Sequence, residues 1–269
     1  MRKTLAIALV ALAAAFGPGI AARAQDNPVD ASLDRVLAKG KLVVTVIDQF
    51  PPFGSVDEKG ELVGYEVDVA RLAAKHLGVE VELVPAVFAN AIPYLLSGKV
   101  DALFNVVGIR PDRAKQIAYS QPYSGTDLSI IAAKATKVET VADLKNLRVG
   151  VSRGTTNEQI TVENAPEGTD IRRFESDADM IQALLSGQVD TITNSASTVV
   201  GIINKANPSL EAESKILFRQ QFNGIAVRRE DNDLRRWFDT FLYFVKVNGE
   251  LDAIHAKWFN APLPKFPVL

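Results

Sequence analysis

Two short segments put hydrogen-bonding side chains directly behind apolar, β-branched runs. Asn105 follows VDALF and Asn194-Ser195 follows VDTIT, so each run ends in groups able to donate to and accept from a small polar molecule. Between them lie Arg113, in RPDRAKQ, and Thr155-Thr156-Asn157-Glu158. Pro111 is favoured at the first position of a helix, which puts Arg113 in a first turn where acids are preferred. The local pattern leaves two explanations open: an exposed Arg paired with Asp112 or a neighbour, or a cation held there for another purpose. Thr155 and Glu158 have the spacing of a capping box, and Gly154 before them lets the backbone turn sharply. The free amides of such a helix start also attract anions. Without the GKS/T of a P-loop, it is a weak phosphate cradle.

Catalysis has little to work with. The chain has no Cys and two His, so a nucleophile would be a Ser or Thr needing a general base. His76, near a helix end, and His255, within the last helix, are read as structural or surface residues. Neither G-x-S-x-G nor S-x-x-K is present, no His spacing suggests zinc, and no cofactor is expected. Glu66 and Asp68 open a helix, where acids stabilise the N-terminus.

The two polar strand ends belong to a repeat. Residues 92–105 read IPYLLSGKVDALFN and residues 181–194 read IQALLSGQVDTITN, 89 positions later. In each copy Ile and two Leu recur at i, i+3 and i+4, the apolar stripe of a helix, and Ser-Gly marks its end. A buried parallel strand follows at 100–104 and 189–193. The carboxyl ends of such strands are where open α/β sheets bind ligands, so two similar units suggest two lobes with something small between them. Further strands are expected at 41–47, 79–84, 128–133, 148–151 and 225–227, with 119–127 irregular and the first crossing between lobes near 124–127. Helices are expected at 33–39, 66–77, from Pro111, at 141–147, 199–204, 234–247 and 251–258. Trp237, Phe238, Phe241, Leu242 and Phe244 are the expected core of the first C-terminal helix.

Residues 1–24 read as a secretory signal: Arg2-Lys3, an apolar run from Leu5 to Phe16, then Ala22-Arg23-Ala24 ahead of an expected cleavage before Gln25. Removing them takes away three cations and no acid, moving the formal net charge from −2 to −5 over 245 residues. A mildly acidic chain argues against nucleic acid, and its length suits two lobes of about 100 residues.

From about Lys41 to Trp258 the chain resembles the extracytoplasmic solute-binding proteins of bacterial ABC importers, in the branch that binds polar amino acids. The matching segments are PPFGSVDEKGELVGYEVDVARLAAKHLG, AIPYLLSGKVDALF, GIRPDRAKQIAYSQPY, DLKNLRVGVSRGTT, LLSGQVD, NGIAVRRED and LDAIHAKWF. The implied fold class is α/β, of the type II periplasmic binding protein kind: two α/β lobes joined by two crossing strands. The expected boundaries are 25–126 with 223–269 for the first lobe and 127–222 for the second. The resemblance implies a periplasmic monomer that closes by a hinge over a carboxylate-bearing ligand and hands it to a membrane permease. By position, Arg113 matches the arginine that grips the α-carboxylate, and Gly108 a backbone N–H donor to it. Asn105 and Val106 match residues lining the site, Thr156, beside Thr155, a contact from the second lobe, and Phe50 and Phe88 aromatic residues enclosing the ligand.

Two positions depart from the pattern. Ser195, preceded by Asn194, stands where the family usually has the Asp that pairs with the ligand's α-ammonium, and Arg110 stands where Thr or Ser is common. The first departure leaves open whether the ligand carries an ammonium. Unless Asp48 or Asp127 reaches the same spot, amino acids are expected to bind weakly and Ser195→Asp to strengthen them. The alternative function is an enzyme similar to the periplasmic cyclohexadienyl and arogenate dehydratases, which needs a cleft acid; its candidates are Asp48 and Asp127.

Overall fold

The computed structural model describes residues 30–269; the expected leader lies outside them. The chain opens with α1 (Ser32–Lys39) and β1 (Lys41–Val46), a run of buried β-branched residues. A small antiparallel sheet follows, of β2 (Gln49–Phe50), β3 (Gly54–Val56) and β4 (Leu62–Val63). Then come α2 (Tyr65–Leu77), β5 (Glu80–Pro85), α3 (Phe88–Leu96) and β6 (Ala102–Phe104). After β7 (Ile117–Ala132) the same order returns as β8 (Arg148–Ser152), α4 (Thr156–Asn164), β9 (Asp170–Phe174), α5 (Asp177–Leu185) and β10 (Thr191–Asn194). The chain ends with α6 (Ala196–Ala206), β11 (Glu213–Arg228), α7 (Asn232–Val247) and α8 (Glu250–Phe259).

The main sheet has the order β5-β1-β6-β11-β7-β10-β8-β9. On one side β1 lies parallel between β5 and β6, and on the other β8 lies parallel between β9 and β10. The sequence repeat is therefore part of a duplicated βαβαβ unit, each half with its first strand in the middle. Its Asp has the same structural duty twice. Asp101 accepts from the Val43 N–H at 2.9 Å and its own N–H donates to the Val43 carbonyl. Asp190 does the same with Arg148, at 2.8 Å in each direction. Each ties the start of the third strand of its half to the first.

β7 and β11 run antiparallel over sixteen residues each and join the halves. The expected irregular stretch 119–127 is strand, and the expected strand 225–227 is the end of a much longer one. Pro122 is accommodated because the pairing slips around Gly224, where no regular ladder donor is required of it. The helix expected from Pro111 is only a three-residue 3-10 turn, Arg113–Lys115. The core takes Phe238, Phe241 and Leu242 from α7, but Phe244 and the repeat's Leu96 are about half exposed. Glu66 is fully buried rather than serving the solvent-side start of α2, whereas Asp68 accepts from Lys257 and Trp258 of α8. His76 contacts Glu250 at 2.9 Å and His255 the Ala261 carbonyl, as befits structural residues.

Candidate functional site

In each half the strand order reverses beside the central strand, so the carboxyl ends of β1, β6, β8 and β10 face one crevice. Phe50 follows β1, Asn105 and Val106 follow β6, Thr155 and Thr156 follow β8, and Asn194-Ser195 end β10. All of them line one pocket of about 550 Å³, together with Phe88 and Arg113. Gly108 is not in its wall but lies just behind. A Cβ there would fall 2.5 Å from the Gln221 amide and 2.8 Å from the Thr156 hydroxyl, so the two halves approach each other through glycine.

The pocket's polar wall is short of partners. Buried side-chain groups in folded proteins are nearly always hydrogen-bonded. Here both amide atoms of Asn105, the Thr156 hydroxyl and the side-chain oxygens of Asn157 and Gln221 have no partner among the described residues, and all four residues line the pocket. Val106, a β-branched residue, holds φ at +51°, a costly left-handed conformation that tends to persist where function constrains the chain.

Arg113 is half-buried, and no carboxylate lies within ion-pair distance of it among the described residues. Asp112 pairs instead with Arg110, whose Nε donates at 2.9 Å. The Arg113 fork donates to two carbonyls, Gly108 at 3.2 Å on the first lobe and Gly154 at 2.6 Å on the second. Burial, then the nearby Arg110 charge, lower its pKa from the ordinary guanidinium value. The second half contributes the start of α4. Thr155 caps it, accepting from the Glu158 N–H at 3.1 Å. Only that half of the expected capping box forms, since the Glu158 carboxylate accepts from Gly154 at 2.8 Å and not from Thr155. The apolar wall comes from Phe50, Phe88, Ala91 and Ile92. Phe50 is both core and wall: it stacks on Phe53 at 5.4 Å and meets the Phe88 ring edge-on at 6.0 Å.

Ser195 lines the pocket, and of the two acids named as able to reach it, Asp127 does so. The Ser195 hydroxyl donates to Asp127 at 2.8 Å, and Asp127 also accepts from the hydroxyls of Ser129 and Ser197 and the N–H groups of Ala196 and Ser197. Burial alone would raise the Asp127 pKa, but these donors hold it below the ordinary carboxyl value. Asp127 is thus the anion of the α6 N-terminus, outside the pocket wall, and Asp48 is outside it as well. A new carboxylate at 195 would meet Asp127 head-on.

The pocket's acid is Asp177, which the sequence reading missed. It opens α5, is 4% exposed and lines the pocket. Its Oδ1 accepts from the Ser152 hydroxyl and, at 2.9 Å, from Asn194 Nδ2. Burial pushes its pKa up to about 6 against those two hydrogen bonds. A Ser-Asp pair at a helix start is ordinary capping sequence, so no local signal separates Asp177 from a structural acid. Thr126 and Gln221, on the crossing strands, were missed for the same lack of signal. Among the described residues no cluster of His, Asp or Glu is arranged to hold a metal.

Residues 42–261 match the description "Bacterial extracellular solute-binding proteins, family 3". The L-cystine-binding protein TcyJ of Escherichia coli (strain K12) is 31% identical over 235 residues, 87% of this chain and 88% of its own. A mutant of ArgBP from T. maritima has a similar structure, with a TM-score of 0.78 at 31% identity over 86% of this chain and 100% of that one. The ancestral amino acid-binding protein AncCDT-1, described as a precursor of cyclohexadienyl dehydratase, gives 0.76 at 31% identity over 85% and 99%. The match runs from β1 to just beyond α8 and takes in both βαβαβ halves and both crossing strands, so the chain belongs to the family 3 bacterial extracellular solute-binding proteins, with the type II periplasmic binding protein fold.

Proposed function

We propose that this protein is the periplasmic binding component of an ABC importer, capturing one small carboxylate-bearing solute, an amino acid or close analogue, for delivery to a membrane permease. Residues 1–24 are its secretory leader. Residues 25–126 with 223–269 and residues 127–222 are the two lobes, which close on the ligand about β7 and β11, in a monomer. The observation that carries the reading is Arg113: a half-buried guanidinium at the pocket which, among the described residues, pairs with no acid and is hydrogen-bonded only to carbonyls from both lobes. A planar fork of donors matches a carboxylate, which accepts two parallel hydrogen bonds. The start of α4 adds N–H groups on the other side, with Thr156 in its first turn, and Gly108 brings backbone close to the same point. Phe50 and Phe88 take the ligand's apolar part. The printed names of TcyJ and AncCDT-1, an L-cystine-binding and an amino acid-binding protein, support the ligand class.

The test is mass spectrometry of ligand released from freshly purified protein, then calorimetry with Arg113→Ala and Arg113→Lys. Leaving one partner of a buried ion pair alone costs about 3–5 kcal/mol, against about 8 kcal/mol for a micromolar complex. The Ala variant should therefore bind near millimolar, and Lys, a single point of charge, should rescue little. Affinity within tenfold of wild type in Arg113→Ala would refute the carboxylate assignment. One observation favours a second reading: Asp177 is an acid with a raised pKa in the pocket, which a dehydratase would need. Prephenate and arogenate, followed by ultraviolet absorbance, are expected to show no turnover; turnover lost in Asp177→Asn would reverse the assignment.

A further inference from the structure

Among the described residues, the pocket wall holds one guanidinium without a carboxylate and one carboxylate without a cation. Arg113 donates only to backbone carbonyls. Asp177, across the crevice at the start of α5, is 4% exposed, and no Lys, Arg or His lies within ion-pair distance of it among the described residues. Both of its hydrogen bonds, from Ser152 and Asn194, go to Oδ1, and Oδ2 takes none. Nor do Arg113 and Asp177 pair with each other, so each keeps its charge for something that enters between them. Burying a lone carboxylate is costly, and a structural acid at a helix start would serve as well from the exposed side of the turn. Asp177 instead faces the pocket.

The other acids near the crevice are committed or outside it. Asp127 receives five hydrogen bonds from Ser129, Ser195, Ser197 and the α6 amides, and Asp48 is absent from the wall. We infer that Asp177 is the anion that holds the ammonium group of a zwitterionic ligand, taking from the start of α5 the part that an Asp at position 195 would play from the end of β10. The ligand is then an amino acid and not the corresponding oxo or hydroxy acid. Asn194 and Ser152 orient the carboxylate and leave Oδ2 to the ammonium. This rests on the pocket being an amino-acid site with its carboxylate on Arg113.

The test uses the full mature chain and, as probe, whichever of the standard L-amino acids and L-cystine gives the largest thermal shift, alongside the same molecule lacking its α-amino group. Calorimetry should find wild type binding the amino acid at least thirtyfold tighter than the desamino analogue. In Asp177→Asn the amino acid should weaken by thirtyfold or more while the analogue stays within threefold of its wild-type affinity. Ligand-free thermal stability should not fall, since the neutral amide spares the buried charge. Equal wild-type affinity for the two probes overturns the inference, and that comparison does not depend on any variant folding. So does Asp177→Asn keeping the amino acid within threefold, or losing both probes alike. If Arg113→Ala still abolishes binding in those cases, the amino-acid site stands and only the role of Asp177 falls. A wild type that binds no amino acid overturns both.

Discussion

Glu66 shows how a single residue under the site can set a pH response. It is completely buried, with the Tyr123 hydroxyl donating to it, and Tyr65 in turn donates to the Tyr123 carbonyl at 2.6 Å. Burial raises its pKa from 4.5 to about 8, against the Tyr123 and Val106 hydrogen bonds. Between those values the folded state keeps a proton that the unfolded state releases. Stability therefore falls as pH rises through the window, by about 1.4 kcal/mol per pH unit at most. The melting temperature should drop by several degrees from pH 6 to pH 8, and Glu66→Gln should flatten that slope and be the more stable protein above pH 8. Parallel slopes in the two proteins would mean that Glu66 is ionised throughout. At Ser195 the expected outcome is the reverse of what the sequence suggests. Ser195→Asp takes a donor from Asp127 and sets a second carboxylate against it, a loss of about 1–3 kcal/mol. Its melting temperature should fall by about 2 °C or more, with no gain in amino-acid affinity. A tighter complex in a thermal-shift screen would mean that a carboxylate at 195 reaches the ligand despite Asp127.

At the scale of elements, what could be read in advance was what periodicity and burial write into a chain. The repeat was legible because buried parallel strands are continuous apolar runs and their helices carry a stripe; both halves of the duplicated βαβαβ unit declared themselves that way. β9 and the first half of β11 left no such trace. β9 is an edge strand reading DIRRF, and β11 opens as ESKILFRQQF with mostly exposed or half-exposed positions and no more than three apolar residues in a row, so neither shows a long apolar run. β7 was obscured by Pro122 and Gly125, which signal turns in an isolated segment but are absorbed here by a paired strand. Nine of the ten expected site residues line the pocket: most follow from the family resemblance by position, and Asn105, Asn194 and Ser195 also stand at strand ends, where a crevice forms. Asp177, Thr126 and Gln221 were illegible because facing a crevice depends on how distant elements stack. The repeated Asp is legible only with the structure in hand. Asp101→Ala and Asp190→Ala should each cost about 1–3 kcal/mol by stranding the Val43 or Arg148 N–H, and chemical denaturation measures it. Asp190 also accepts from the Arg148 guanidinium at 2.6 Å, so its loss should be the larger. A smaller effect at 190 than at 101 would show that the strand tie, not the ion pair, dominates.

For the whole molecule, the two lobes are one continuous sheet only through β7 and β11. They also meet directly: α5 packs against β2, Arg113 meets Gly154, the Arg110 guanidinium meets the Thr155 carbonyl at 3.5 Å, and Gly154 lies against Ala89. Hydrogen bonds that water can replace contribute little net stability, so the polar contacts among these are the cheaper ones to break. A ligand that binds both faces of the crevice shifts the balance to the closed form by its extra contacts there. Scattering at saturation should then give a radius of gyration near the ~18 Å expected of a compact chain of this length, with a larger value in its absence. An unchanged radius would rule out closure as the response. Gly154 makes a sharper test because it sits at the meeting point with φ at +73°, and a Cβ there would lie 2.9 Å from the Ala89 Cα. Gly154→Ala strains that turn and blocks the approach of α3 to the start of α4. It should leave ligand-free scattering as it is, shrink the ligand-induced change and weaken binding by about tenfold, or ~1.4 kcal/mol. Full compaction with undiminished affinity in Gly154→Ala would mean that the lobes close along another path, one that does not bring Gly154 against α3.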